Sequence, residues 1–197
     1  MRGNPMSSEQ RVQKRFEDFA YVLDYLPQGK LGAGRMSYRA EPLVQMVGEE
    51  YFTLLEATPK INVTLSPDER VYIGKDLPRD KISHIIGRVE YNTLTTEAKG
   101  ELPIILEEVI RGNEKRFVDF FNNAQPITPR MHSLELIPGI GKKYTWTILR
   151  ATERKPFASF QDIKERTELP DPAKLIAKRI TEELAEEPKY RIFTRPP

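Results

Sequence analysis

The chain has 197 residues with 16 prolines, 11 glycines and 30% charged side chains, which sets the expectation at one moderate domain or two small ones. Its formal net charge is only +2, so affinity for nucleic acid would have to come from a local basic patch and not from overall charge. With no cysteine, the chain has no disulfide framework, no thiolate nucleophile and no cysteine-ligated zinc, and a reducing, cytoplasmic setting is expected.

The N-terminal "MRGNPMSSEQRVQKR" lacks the apolar run of a secretory signal, and residues 1–15 read as a polar, disordered segment. No stretch approaches the roughly 18 apolar residues needed to span a bilayer, so no membrane partner is expected. From 16 to 94 the chain is rich in β-formers: "FAYVLDYLPQG" (19–29), "EYFTLLEATPK" (50–60), "INVTL" (61–65) and "ERVYIG" (69–74) are separated by turn residues. Alternation in "INVTL" puts Ile61, Val63 and Leu65 on one face, and "SPDE" (66–69) predicts a hairpin into Val71 and Ile73. "ISHIIGRVEY" (82–91) mixes helical spacing with β-branched residues and is assigned to a strand. Short strands at this density predict a small, partly open five-stranded barrel of the OB type.

After Thr95 the period becomes helical, and 95–127 reads as connecting helices. "TTEAKGELPIILEEVIRG" places Leu102, Ile105, Leu106, Val109 and Ile110 on one stripe, while Phe117, Phe120 and Phe121 form another behind Asn113 as N-cap. In 128–187, Thr128 and Pro129 predict the start of a short helix carrying Met131, Leu134 and Ile137 inward. Pro138 ends it, Gly139 and Gly141 allow a tight turn around Ile140, and a second helix begins near Lys142 with Ile148 and Leu149 buried. The first amides of that helix lack intrahelical partners and carry the positive end of its dipole. Glycines let a phosphate approach them, and Lys142 and Lys143 add charge where it would sit, without reading a base.

"LELIPGIGKKYTWTIL" resembles the helix-hairpin-helix element of many DNA- and RNA-associated proteins, with Thr145 where that motif usually carries alanine and Trp146 where it is often polar or basic. A second, degenerate unit follows: Ser159 and Asp162 form a capping-box-like start to a helix burying Phe160 and Ile163, and Asp171 and Pro172 start the next. Here "ELPDP" replaces the glycine turn, and 188–197 reads as a tail. Across nearly its whole length, through "YVLDYLPQG", "EPLVQMVGEEYFTLLE", "ERVYIGK", "RFVDFFNNAQPIT", "HSLELIPGIGKK" and "LPDPAKLIAKRI", the chain also resembles an uncharacterised archaeal family, domain of unknown function 655. That resemblance implies an OB-like barrel joined to a helix-hairpin-helix domain, presumed to bind nucleic acid, and no established activity.

The expected fold is therefore α+β in two domains, an OB-like barrel over 16–94 and an all-α tandem helix-hairpin-helix domain over 128–187. Phosphate contacts fall to Gly139, Ile140, Gly141, Lys142 and Lys143, joined by Arg150, Arg154 and Lys155, which in this stretch face only Glu153. Trp146 either stacks a base or packs against the barrel, and packing is favoured because tryptophan is mostly buried. The Gly-rich loop 29–42 lacks the ending of a phosphate-binding P-loop; its Lys30, Arg35, Tyr38 and Arg39 are candidate secondary single-strand contacts, with a disordered surface loop as the alternative, and "GKDLPRDK" (74–81) is a weaker case. His84 and His132 stand apart with structural or surface roles, and the Glu pairs at 107–108, 182–183 and 186–187 are placed on outer helix faces. With no nucleophile–base pair or ligand cluster, no enzyme, cofactor or metal is expected. The reading is a nucleic-acid-binding protein, RNA preferred over DNA, with a protein-interaction module as the alternative and a nuclease-like enzyme third.

Overall fold

The computed structural model describes residues 16–30, 41–186 and 188–195; the segment 1–15 and three of the loop contacts, Arg35, Tyr38 and Arg39, lie outside them. The protein is a mixed α+β fold. Strands β1 (Phe19–Leu26), β2 (Leu43–Gly48), β3 (Leu54–Pro59), β4 (Arg70–Tyr72) and β5 (Ile82–Arg88) form one curled antiparallel sheet in the order β4-β1-β2-β3-β5. Its concave side closes over Ala20, Val22, Val44, Met46, Leu55, Ala57, Leu65, Val71, Ile73 and Ile82.

A bulge in β1 explains how both faces of the sheet stay apolar. Ala20 and Val22 point inward and Leu23 outward; the register then slips between Val22 and Asp24, so that Tyr25 again faces inward opposite Val44. Turning from β2 to β3, the chain wraps around the carboxylate of Glu17, which accepts the amides of Glu50 (2.9 Å), Tyr51 (3.0 Å) and Thr53 (3.1 Å). A Cβ on Gly48 would lie 2.1 Å from that carboxyl carbon, so any larger residue there would push Glu17 off the three amides.

The segment 61–65 is not a strand, contrary to its alternation. Asn62 adopts a left-handed conformation (φ 63°), Val63 N–H closes a turn onto Lys60, and Ile61 is left 91% exposed while Leu65 alone is fully drawn inside. β4 therefore pairs with β1 and not with a hairpin neighbour. Conversely, β2 carries no alternation in its sequence because all six of its residues are buried.

Helix α1 (Thr96–Gly112) lies against β1, and its stripe Ala98, Leu102, Ile105, Leu106, Val109 and Ile110 is buried as the periodicity predicts. Thr95 caps it, accepting from Ala98 N–H at 3.0 Å and donating its hydroxyl to Asp24 at 2.7 Å. Helix α2 (Glu114–Asn123) buries Phe117 and Phe121; Asn113 precedes it but its amide donates back to Val109 O, closing α1 instead of opening α2. Strands β6 (Pro126–Thr128) and β7 (Met131–His132) then form a small hairpin where a helix start was expected. Thr-Pro suits the first positions of a tight turn as well as those of a helix, and Thr128 Oγ1 accepts from Arg130 N–H within that turn. Only a single 3-10 turn, Ser133–Leu136, remains ahead of Pro138.

Helices α3 (Lys142–Arg154), α4 (Phe160–Thr167) and α5 (Pro172–Ala185) follow, and one apolar cluster runs unbroken from Leu23, Val47, Phe52 and Leu54 of the sheet side through α1 and α2 to all three. Among the described residues no helix is long and apolar enough to cross a membrane. Glu183, expected on an outer face, is fully buried. Its carboxylate pairs with Arg179 at 2.9 Å and accepts the amides of Ile192 (2.8 Å), Phe193 (3.2 Å) and Thr194 (2.9 Å) plus the Thr194 hydroxyl. Residues beyond α5 are thereby drawn into the core, where the Phe193 ring meets Phe120 and Phe117 at 5.0 and 5.7 Å and Arg195 stacks on Tyr51. Glu183→Ala strips those donors of their acceptor and leaves Arg179 buried without its counter-charge. It should cost about 3–5 kcal/mol in chemical denaturation, whereas Glu182→Ala should cost little.

Candidate nucleic-acid interface

The turn before α3 is built from Ile137 to Gly141. Gly139 sits at φ 90°, a conformation that only glycine adopts without strain, and Ile140 is buried with its amide on Ile137 O at 3.0 Å. Gly141 is the N-cap of α3 with an extended backbone (φ −92°); it offers no side-chain cap, and a Cβ built on it would meet nothing within 4 Å. The first amides of α3 therefore have no side-chain acceptor and open onto solvent, with Lys142 and Lys143 exposed beside them.

The equivalent turn before α5 has the same plan and the opposite outcome. Glu168 takes the left-handed position (φ 57°), Leu169 is buried as Ile140 is, and Asp171 is the N-cap. Its carboxylate accepts Ala173 N–H at 3.1 Å and pairs with Arg111, so the N-terminus of α5 already holds an anion of its own. Burial opposes the charge on Asp171, yet Arg111 and the α5 amides hold its carboxyl below the ordinary range. Tyr144 of α3 donates to Glu168 O at 3.3 Å and ties the two turns together.

Arg150, Arg154 and Lys155 are exposed as expected, but they stand farther along α3 and at its C-cap, about 12–20 Å from Lys142 at 1.5 Å per residue, and would meet other phosphates. None of these five cations enters an ion pair among the described residues. Trp146 is not packed against the sheet: it is 63% exposed on the same outer face of α3, one helical turn from Lys142. Lys30, by contrast, is engaged internally, with its ammonium 2.6 Å from Glu56 and donating to Thr93 O at 3.1 Å.

Away from α3, a pocket of about 350 Å³ opens beside β5. Leu55, Ile73 and Ile85 line it with Lys75, Arg79, His84 and Arg88, and Lys75 lies 3.8 Å over the exposed ring of Phe16. The weak signal in "GKDLPRDK" covered Lys75 and Arg79; Arg88 was missed because it lies alone in a strand pattern. Among the described residues no group of three or more His, Asp or Glu side chains is arranged to hold a metal ion.

His132 caps the 3-10 turn, its Nδ1 accepting from Leu134 N–H at 3.2 Å, while Glu135 accepts from His132 N–H at 3.3 Å. Burial pushes the His132 pKa down against the pull of Glu135, as an accepting ring nitrogen requires. Because the folded value lies below the unfolded one, the stability this cap contributes is present above about pH 6.5 and lost as pH falls through the folded value. An NMR titration should find His132 protonating below pH 6.5. At the turn itself, Gly139→Ala should destabilise by about 1–2 kcal/mol through its left-handed backbone. Gly141→Ala should leave the unfolding midpoint nearly unchanged, which thermal melts of the two variants compare directly.

Residues 16–195 match the family model described as a protein of unknown function, DUF655. The uncharacterised protein MJ0038 of Methanocaldococcus jannaschii is 46% identical over 184 residues, spanning 92% of this chain and 82% of that protein. The crystal structure of Af1531 from Archaeoglobus fulgidus, described under the same family, superimposes with a TM-score of 0.85 at 46% identity, over 91% of this chain and 100% of that one. With every described residue inside the matched region and the fold shared with an archaeal relative at 46% identity, the chain belongs to the DUF655 family.

Proposed function

We propose that this protein binds nucleic acid through the phosphate backbone, independently of sequence, at the N-terminus of α3. One observation carries the reading: of two turns built on the same plan, the one before α5 is capped by Asp171, whereas the one before α3 is capped by Gly141 and flanked by Lys142 and Lys143. An uncapped helix start with adjacent cations accepts a phosphate and makes no contact with a base edge. The paired turns support reading the helical part as tandem helix-hairpin-helix units, the first abbreviated to a 3-10 turn and the second degenerate. The strand order β4-β1-β2-β3-β5, with β4 and β5 left apart, supports an OB-like barrel with an open seam.

RNA is preferred over DNA, because the apolar floor and basic rim of the pocket beside β5 suit an unstacked base and RNA commonly presents single strands. The exposure of Trp146 favours the alternative, a protein-interaction surface on α3. Four exposed cations on the same helix, Lys142, Lys143, Arg150 and Arg154, weigh against it, since protein interfaces are depleted of charge at their centres.

Fluorescence anisotropy with labelled single-stranded RNA, duplex RNA and duplex DNA, titrated across salt concentrations, tests the proposal. Log affinity should fall linearly with log salt, and replacing Lys142 and Lys143 together by Glu should weaken binding alike for every sequence and reduce the salt slope by about two. Undiminished affinity in that variant removes the assignment, and no binding of any nucleic acid at low salt turns the reading to a protein partner.

A further inference from the structure

Between the β6–β7 hairpin and α3 runs a groove of about 560 Å³ whose lining includes Lys142. Its walls are Pro129, Arg130 and Met131 on one side and Thr145, Trp146 and Leu149 on the other. A volume of this size holds a nucleoside, and the lining combines an aromatic plane, apolar walls and the cations Arg130 and Lys142.

Thr145 marks the groove as a site for a polar ligand. It is only 5% exposed, and its hydroxyl has no hydrogen-bond partner. Thr147, Thr152, Thr167 and Thr181, the other threonines placed well inside helices, each bond to a carbonyl three or four residues back, at 3.0, 2.8, 2.6 and 2.9 Å. Thr145 has the same option in Gly141 O and does not take it, so a hydroxyl buried behind the groove wall is left unpaired, at a cost that turning its side chain toward a ligand would relieve. Glu135, the carboxylate of the groove, is already occupied by the amide of His132.

Resting on the phosphate reading above, we propose that this groove takes one unpaired nucleobase, stacked on Trp146 and hydrogen-bonded by Thr145, from the strand whose phosphate lies at Lys142 and Lys143. The preferred ligand is therefore single-stranded nucleic acid. Lys142 belongs to both the helix start and the groove, so phosphate and base come from neighbouring positions of one strand. A base held in a duplex is stacked and paired on its own strand partners and cannot enter, while a single strand presents its rings without that cost. Stacking tolerates any base, which keeps the binding independent of sequence.

Trp146 is the sole tryptophan of the chain, so its emission reports on the groove alone. The full-length protein is titrated with single-stranded RNA and with duplex RNA of equal length, following tryptophan fluorescence and the anisotropy of labelled RNA together. Single strands should quench the emission with the midpoint seen by anisotropy, and duplex should bind without quenching. Trp146→Ala should lower single-strand affinity roughly ten- to a hundredfold, Trp146→Phe much less, and neither should change duplex binding. Thr145→Val, which keeps the shape and removes the hydroxyl, should fold at least as stably and weaken single strands severalfold. Single-strand binding with unchanged emission and full affinity in Trp146→Ala overturns the groove while leaving the helix start in place. Quenching that survives replacement of Lys142 and Lys143 by Glu keeps the groove and overturns the phosphate site.

Discussion

Helix α1 is flanked by β1 on one side and α5 on the other, and its six-residue apolar stripe serves both contacts. Burying such a stripe is the largest favourable contribution a helix of this length makes, on the order of 0.025 kcal/mol for each Å² removed from water. Its start is held by side chains that cannot shift independently: Thr95 takes the Asp24 carboxylate of β1, and its amide donates to buried Gln45 of β2, which also bonds Glu56 of β3. The sheet thus sets the position of α1, α1 that of α5, and Leu175 of α5 is the side chain nearest to Gly139. The turn before α3 is placed by a relay of packed elements that begins three strands away.

The two turns illustrate how one local architecture yields opposite surface chemistry. Both reverse the chain with a left-handed residue and anchor it with a buried aliphatic side chain, Ile140 or Leu169. The second turn is one residue longer, with Pro170 inserted, and the chemistry diverges at the N-cap. A carboxylate there satisfies the amides from within the chain; a glycine leaves them to the solvent or to a ligand. Asp171 further recruits Arg111 from α1, which makes the second turn part of the scaffold. The first turn is free of that obligation.

Much of this was legible because periodicity and caps are local signals. The stripes of α1 and α2, the starts of α4 at Ser159 and α5 at Asp171 and Pro172, and the turn at Gly139 to Gly141 all stand where the sequence places them. The failures share a cause, which is that tertiary context decided between two local solutions. A strand with both faces buried, as in 43–48, has no alternation to read. Thr128 and Pro129 satisfy a tight turn and a helix start equally, and only the pairing of Pro126 with His132 selects the turn. Glu183 and Trp146 exchanged their usual places: the carboxylate went inside because a returning segment brought three amides to it, and the indole stayed outside. No periodicity in the helix itself encodes either event.

The Glu183 carboxylate has a kinetic consequence. The segment it holds touches Tyr51, Phe117 and Phe120, residues far back along the chain, so its docking closes loops of high sequence separation and is expected to follow the assembly of α1, α2 and α5. Contacts formed after the rate-limiting step slow unfolding more than they speed folding. On that expectation residues 190–195 act as a clasp on a core already built, and replacing the one buried acid that holds them should speed unfolding more than it slows folding.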